Sequence, residues 1–353
     1  MIKKIKLQGF RNFDGKVFEF SPGITVIAGP NASGKTNILE SLYLLSTGKS
    51  FKAKMEEEVV NYKNDISRIT GVLSLASPTN NLEVVITRGH IDIGAERPEK
   101  APRKKLLVNG IPRRMIDFAG NFRTVLFGPW DLELVTESPS VRRKFLDTVL
   151  SQADREYRRS VLSYEKGLRQ RNRILWDMRE GNLGPDRLLF WNQLLIKNGN
   201  YITNRREEFI DFINGLGFKI NSLKLNLTYD KSVISESRLE QYSEEEVGAA
   251  TTLVGPHRDD FIFNKGERNL SSFGSRGEQR MGVLWLKMAE LSFIEEKSGE
   301  RPTLLLDDIF SELDAEHRDI VMDISTRQQT IITSVDDEFT KDLKDVERIE
   351  LKS

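Results

Sequence analysis

At 353 residues the chain is long enough for two or three packing units of ~100 to 200 residues each, and its 38% apolar and 30% charged residues describe a folded protein with a heavily charged skin. Lys plus Arg equals Asp plus Glu at 53 each, so no net field draws the whole molecule to nucleic acid or anionic membrane, and any such attraction must come from a local patch. The absence of cysteine excludes disulfides, thiolate nucleophiles and cysteine-held metal centres, and His90, His257 and His317 are too scattered for a histidine-rich metal motif.

The opening segment MIKKIKLQGF lacks the apolar run of a signal peptide, and no stretch of ~18 apolar residues follows anywhere, so a cytoplasmic location with no membrane partner is expected. Ile5 and Leu7 alternate with polar neighbours as in a strand, and residues 24–28 form a nearly continuous apolar run suited to a strand buried on both faces. A glycine-bearing loop ends that strand, and Ile38, Leu39, Leu42, Leu44 and Leu45 predict a helix from Lys35 to about Leu45. Alternation around 71–75 and 82–87 predicts antiparallel strands, and residues 101–114 predict a hairpin turning at Asn109-Gly110, a dipeptide that tolerates positive φ. From Pro139 to Arg179 apolar residues recur every three or four positions, at Phe145, Val149, Ala153, Tyr157, Val161, Tyr164 and Leu168, which predicts a helical stripe. A turn at 180–185 leads to a second helical run, 185–216, then a strand at 223–229 and a polar stretch at 235–246. After Thr251 strands and helices alternate: a strand at 261–263, a helix at about 276–296, a strand at 303–307, a helix after Leu313 and a strand at 330–333.

Residues 29–36 read Gly29, Pro30, Asn31, Ala32, Ser33, Gly34, Lys35, Thr36, which satisfies the phosphate-binding pattern G-x-x-x-x-G-K-[ST] between a buried strand and a helix start. The loop's N–H groups and the helix N-terminus, reaching to Asn37, suit phosphate oxygens, Lys35 suits the β- and γ-oxygens, and the Thr36 hydroxyl suits Mg²⁺. Near the other end an apolar strand closes on Asp307 and Asp308, placed to hold Mg²⁺ and to orient or deprotonate water respectively; the bland alternative is a strand end with a solvated acidic pair. Between them Ser275, Arg276, Gly277 and Glu278 open a long amphipathic helix, a second anion site without a P-loop lysine or else an ordinary cap. One nucleotide cannot occupy two distant sites in one lobe, so the second site makes sense if it completes another subunit's pocket.

The order of P-loop, S-x-G-E/Q signature, LLLDD and residues 311–314 resembles ABC-type ATPase heads, in which two heads sandwich two ATP molecules. Lys35 and Ser275 lie 240 residues apart and Ser275 and Asp307 only 32, so the insert is longer than in transporter subunits and shorter than the coiled coils of SMC heads. The strings FRNF (10–13), TGKSF (47–51), LVNG (107–110), FGPWDLELVTESPSVRRKFLD (127–147), GPHRDDF (255–261), GSRGEQR and LLLDDIFSELD together resemble the RecF recombination-mediator family along nearly the whole chain.

That resemblance implies an α/β fold: an ABC-type P-loop head with a mixed sheet, flanking helices and an antiparallel subdomain, plus an inserted, mainly helical lobe. The expected boundaries are 1–138 and 251–353 for the two parts of the head and 139–250 for the insert. It also implies an ATP-dependent homodimer with slow, DNA-stimulated ATPase activity, which binds double-stranded and gapped DNA and acts with RecR-like and RecO-like proteins to load recombinase. By the same resemblance Asn31, Gly34, Lys35 and Thr36 bind nucleotide and Mg²⁺, Asp307 binds metal and Asp308 is the base. Ser275, Arg276 and Gly277 touch the partner's γ-phosphate, and Arg11 and Asn12 match an early loop that approaches the nucleotide. No glutamine stands at 126–129 to serve as a Q-loop ligand, and no histidine stands at 331–334 as a switch. Aspartate at 308, shorter than the glutamate of many such ATPases, suggests slow turnover.

Ten basic residues against four acids between Arg142 and Arg173 form one candidate phosphate-contacting face, and the hairpin's Arg103, Lys104, Lys105, Arg113 and Arg114 form another. The competing reading makes these a solvated surface, with Arg142 and Arg143 pairing with acids such as Asp147. His257 is as readily a member of a buried polar network with Arg258, Asp259 and Asp260 as a catalytic group. The functional alternative is a head-type ATPase that drives a partner nuclease or defence effector without its own grip on DNA.

Overall fold

A computed structural model describes residues 1–74, 80–92, 99–217, 224–335 and 346–352. Strand Ile24–Ala28 is buried at all five positions and lies between Thr330–Ser334 and Glu347–Glu350. Thr330–Ser334 pairs in turn with Thr303–Asp307, and that strand with Thr124–Phe127, every pairing parallel. A parallel sheet is covered on both faces, which is why its three inner strands are buried at every position, threonines included. Because all strands run one way, Ala28, Asp307 and Ser334 end at the same edge.

A second sheet is antiparallel, in the order Lys16–Glu19, Ile2–Gln8, Ile66–Leu73, Asn80–Thr87, Lys104–Val108, Ile111–Arg113. Its last hairpin turns where the sequence predicts, with φ of 52° at Asn109 and 77° at Gly110, the double left-handed turn that matches strand twist. Helix Lys35–Thr47 joins the two sheets in one core: Ile38, Leu39, Leu42 and Leu45 cluster with Ile5, Leu7, Ile69 and Val84 and with Ile27, Leu305 and Ile331. The buried Gln329 carboxamide uses all four of its hydrogen-bonding positions. It accepts from the Ile2 N–H (2.9 Å) and the Thr303 hydroxyl (3.1 Å), and donates to the carbonyls of Ile2 (2.6 Å) and Ser21 (2.8 Å).

The chain divides into two compact units, 1–130 with 294–353, and 131–293, the second boundary falling within helix Arg276–Ser298. Residues 251–293, which sequence reading assigns to the head, therefore group with the second unit. That unit is built on helices Pro139–Ala153, Arg155–Arg179 and Leu189–Gly215 and an antiparallel sheet of Leu225–Asp230, Asp260–Lys265 and Arg268–Asn269. The stripe at 139–179 is two helices, because the Asp154 carboxylate caps the second by accepting from the N–H groups of Glu156 (2.8 Å) and Tyr157 (3.1 Å). Part of the polar stretch is helical too, at Glu236–Gln241 and Ser243–Ala249, the first capped by Ser235. Leu223, where sequence reading begins a strand, lies outside the described residues. Among those described, no helix is long and apolar enough to cross a membrane.

The GPHRDD segment forms a buried polar network. Arg206 donates to Asp259 (2.9 Å), Asp147 (2.8 Å) and the Pro256 carbonyl (2.7 Å), and Arg142 grips Asp260 through two bonds of 2.6 and 2.9 Å. Asp147 thus serves Arg206, with Tyr157, rather than Arg142 as the helical spacing suggests. His257 lies between the Tyr164 hydroxyl (2.8 Å) and the Thr252 carbonyl (3.0 Å), and burial lowers its pKa to about 4. A folded-state pKa below the unfolded value of about 6.5 means stability that is present above pH 6.5 and lost as pH falls toward 4, by roughly 3 kcal/mol. The urea midpoint, read by tryptophan fluorescence, is expected to fall between pH 7 and pH 4.5 and to fall less in His257→Gln; equal pH dependence of the two proteins would refute this.

Candidate functional site

The P-loop closes tightly because Ala32 and Gly34 both take left-handed backbone angles, φ 66° and 104°. A Cβ at Gly34 would lie 2.7 to 2.8 Å from Asn12 and Phe13, so only glycine fits. Asn12 straps the loop in place: its amide donates to the Ser33 carbonyl (3.1 Å) and its oxygen accepts from Asn37 (2.9 Å). Pro30, Asn31 and Ala32 form the exposed crest, and the unpaired N–H groups of the first helical turn begin at Lys35.

The Lys35 ammonium is bent back onto the carbonyls of Gly29 (2.7 Å) and Pro30 (3.0 Å). Burial lowers its pKa, while Asp308 and Asp307 work against that shift. The Ser33 hydroxyl is buried within the loop without a hydrogen-bond partner among the described residues. An orphaned hydroxyl beside converging N–H groups and an ammonium is a donor set that suits phosphate oxygens.

Asp307, at the end of its strand, is 4% exposed and accepts from the hydroxyls of Thr36 (3.0 Å) and Thr333 (2.6 Å). The Thr333 hydroxyl also accepts from the Asp308 N–H (3.1 Å). Asp308 itself turns into the left-handed region at φ 49°, a strained conformation for a non-glycine residue that swings the second carboxylate off the line of the strand. Thr333 was not singled out from the sequence, because a threonine in a β-run carries no signal; only the strand order, which sets Thr330–Ser334 between the other two, brings it here.

Arg11 has no hydrogen bond to residues 29–36 among the described residues. Its guanidinium is held in two bonds, 2.8 and 2.6 Å, by the fully buried Glu40 and donates to the Glu58 carbonyl (2.8 Å); the hydrogen bonds to Glu40 also raise its pKa. Of the early loop, Asn12 is the residue at the site.

The signature lies in the other unit, and there its first residues make a capping box. The Ser275 hydroxyl accepts from the Glu278 N–H (3.3 Å), and the Glu278 carboxylate accepts from the Ser275 N–H (2.9 Å). Ser275, Arg276 and Gly277 are exposed, and a Cβ at Gly277 would meet nothing closer than 4.0 Å, so the fold itself does not require glycine there. The hairpin cations are partly spent: Arg103 pairs with Glu57, Lys104 with Glu56 and Arg114 with Asp117, while Lys105 and Arg113 are exposed with no ion pair among the described residues.

The RecF/RecN/SMC N-terminal domain model matches residues 1–353. A DNA replication and repair protein RecF of Roseiflexus castenholzii is 35% identical, covering 94% of this chain and 93% of its own, and that of Herpetosiphon aurantiacus is 35% identical over 96% and 94%. The chain belongs to the RecF family. A solved structure of the recombination mediator protein RecF with ATP, in the RecFOR pathway, superposes with a TM-score of 0.86 at 30% identity, covering 99% of this chain and 95% of that one. The fold is therefore the P-loop ATPase head of the RecF family, and the strings from which the family was recognised lie in both units.

Proposed function

We propose that the chain is an ATP-dependent, dimerising DNA-binding protein of recombinational repair and replication-gap processing, a slow ATPase stimulated by DNA and working in the cytoplasm. The observation that carries this reading is the meeting of the Thr36 hydroxyl with the Asp307 carboxylate at 3.0 Å, beside a P-loop with an orphaned buried hydroxyl. Duplex and gapped DNA as partners, RecR-like and RecO-like proteins, and recombinase loading are what the family resemblance implies; the relatives' names, of a DNA replication and repair protein and of a recombination mediator in the RecFOR pathway, support that reading.

ATP, when bound, supplies the transferable phosphoryl group, and Mg²⁺ offsets its charge. The backbone N–H groups of the loop other than at Pro30, with those that open the helix, would cradle the phosphates, and Lys35 would exchange the carbonyls of Gly29 and Pro30 for phosphate oxygens. Thr36 and Asp307 offer hard oxygen ligands of the kind Mg²⁺ takes, one or two from protein and the rest from phosphate and water. Asp308 orients the attacking water and accepts its proton, and Thr333 fixes the two aspartates relative to each other. In the capping box the Ser275 oxygen accepts, so the hydroxyl proton stays available for an external acceptor such as a second subunit's γ-phosphate. ATP that binds the joined heads more tightly than the single subunit shifts the equilibrium toward the dimer, and hydrolysis reverses it.

Ser275→Arg is expected to leave ATP binding by the single subunit unchanged and to block ATP-dependent pairing in light scattering; normal pairing would overturn the trans-signature assignment. A second reading, an ATPase that drives a protein partner without its own DNA grip, draws on the three hairpin cations already paired with acids. Anisotropy of a gapped duplex, titrated at two salt concentrations with and without ATP, separates them, because neutralised phosphates release counterions and give steep salt dependence.

A further inference from the structure

The Glu278 carboxylate borders the face that Ser275, Arg276 and Gly277 present to solvent, and its side chain is 28% exposed. One oxygen takes the Ser275 N–H, and the other is gripped by Lys265, the last residue of strand Asp260–Lys265. A bare carboxylate one helical turn from an anion site opposes the anion. Glu278 cannot escape that conflict by taking up a proton, because the hydrogen bond to Lys265, with that from Ser275, holds its pKa below the usual carboxylate range. Lys265 and Glu278 also line an open cavity of about 470 Å³, where Phe273, two residues before Ser275, is left 74% exposed.

We infer that Lys265 is a positioning residue of the signature: it neutralises Glu278, so that the phosphates of a second copy's nucleotide approach Ser275 and Gly277 without meeting an uncompensated negative charge. The inference rests on the trans-signature reading above. In the single subunit the pair is solvated and adds little to stability, whereas in the dimer it is desolvated and lies within a few ångströms of phosphate charge, where its sign matters.

The test is light scattering of the full chain with ATP and Mg²⁺ for Lys265→Met, Glu278→Gln, the double variant and Ser275→Arg. Methionine keeps the apolar stem of Lys265, and glutamine keeps the capping box, since its carbonyl still accepts from the Ser275 N–H. Lys265→Met is expected to weaken pairing about tenfold per signature, and so roughly a hundredfold for a two-fold dimer, with melting temperature and single-subunit ATP affinity unchanged. The double variant is expected to regain pairing to within about threefold of the natural chain, because no unpaired charge remains. Normal pairing by Lys265→Met, or a double variant as weak as Lys265→Met alone, would overturn the inference. If Ser275→Arg itself pairs normally, the parent reading falls; if it is blocked while Lys265→Met is unaffected, only this inference falls.

Discussion

Lys35→Ala is expected to lower ATP affinity by roughly 100-fold and to remove ATP-dependent dimerisation, since two charge-assisted contacts to phosphate contribute about 3 kcal/mol together. The loss belongs to the bound state. In the free protein the ammonium only bridges two loop carbonyls, Gly29 and Pro30, which water can satisfy once the side chain is removed. The variant's melting temperature should therefore stay within about 1 °C of the natural chain, a shift that corresponds to less than ~1 kcal/mol at this size. Light scattering that rises with ATP in the variant as in the natural chain would overturn the P-loop assignment.

Arg206→Ala should cost about 3 to 5 kcal/mol in urea denaturation, the usual penalty for leaving buried charge unpaired. Burial opposes the charge on Arg206, but Asp147, Tyr157 and Asp259 keep it on. Removing it takes the ion-pair partner from the wholly buried Asp259, which keeps only the Tyr229 hydroxyl and the Ser232 N–H (2.7 Å) as neutral donors. The same deletion combined with Asp259→Asn should cost clearly less than the two changes summed, because the stranded negative charge disappears with its partner. A loss below ~1 kcal/mol for Arg206→Ala alone would show that the network is not an ionic one.

The P-loop and the aspartate strand were legible because their signals are local: an apolar five-residue run, a glycine pattern and a helix start lie within a few residues of one another. The break at Asp154 was hidden for the opposite reason. The apolar spacing runs through Phe145, Val149, Ala153 and Tyr157 without interruption, and only the cap, an aspartate whose side chain reaches forward two and three residues, marks the boundary. Glu40 and Thr333 escaped as well, since their partners Arg11 and Asp307 lie 29 and 26 residues away and nothing in the intervening sequence links them. At the signature, S-x-x-E reads equally as a helix cap and as an anion site, and the structure satisfies the cap while leaving Gly277 with space it does not use. For His257 the sequence left a buried network and a catalytic role open, and the partners it has, the Tyr164 hydroxyl and the Thr252 carbonyl, lie 93 and 5 residues away rather than beside it in Arg258, Asp259 and Asp260.

The strand order also bears on how the molecule is made. Both neighbours of Ile24–Ala28, Thr330–Ser334 and Glu347–Glu350, are synthesised about 300 residues after it. Until then an apolar strand and its phosphate loop have no sheet to enter. At ~5 to 20 residues per second the nascent chain carries that open edge for some 15 to 60 seconds, the interval in which such edges recruit chaperones or misassemble.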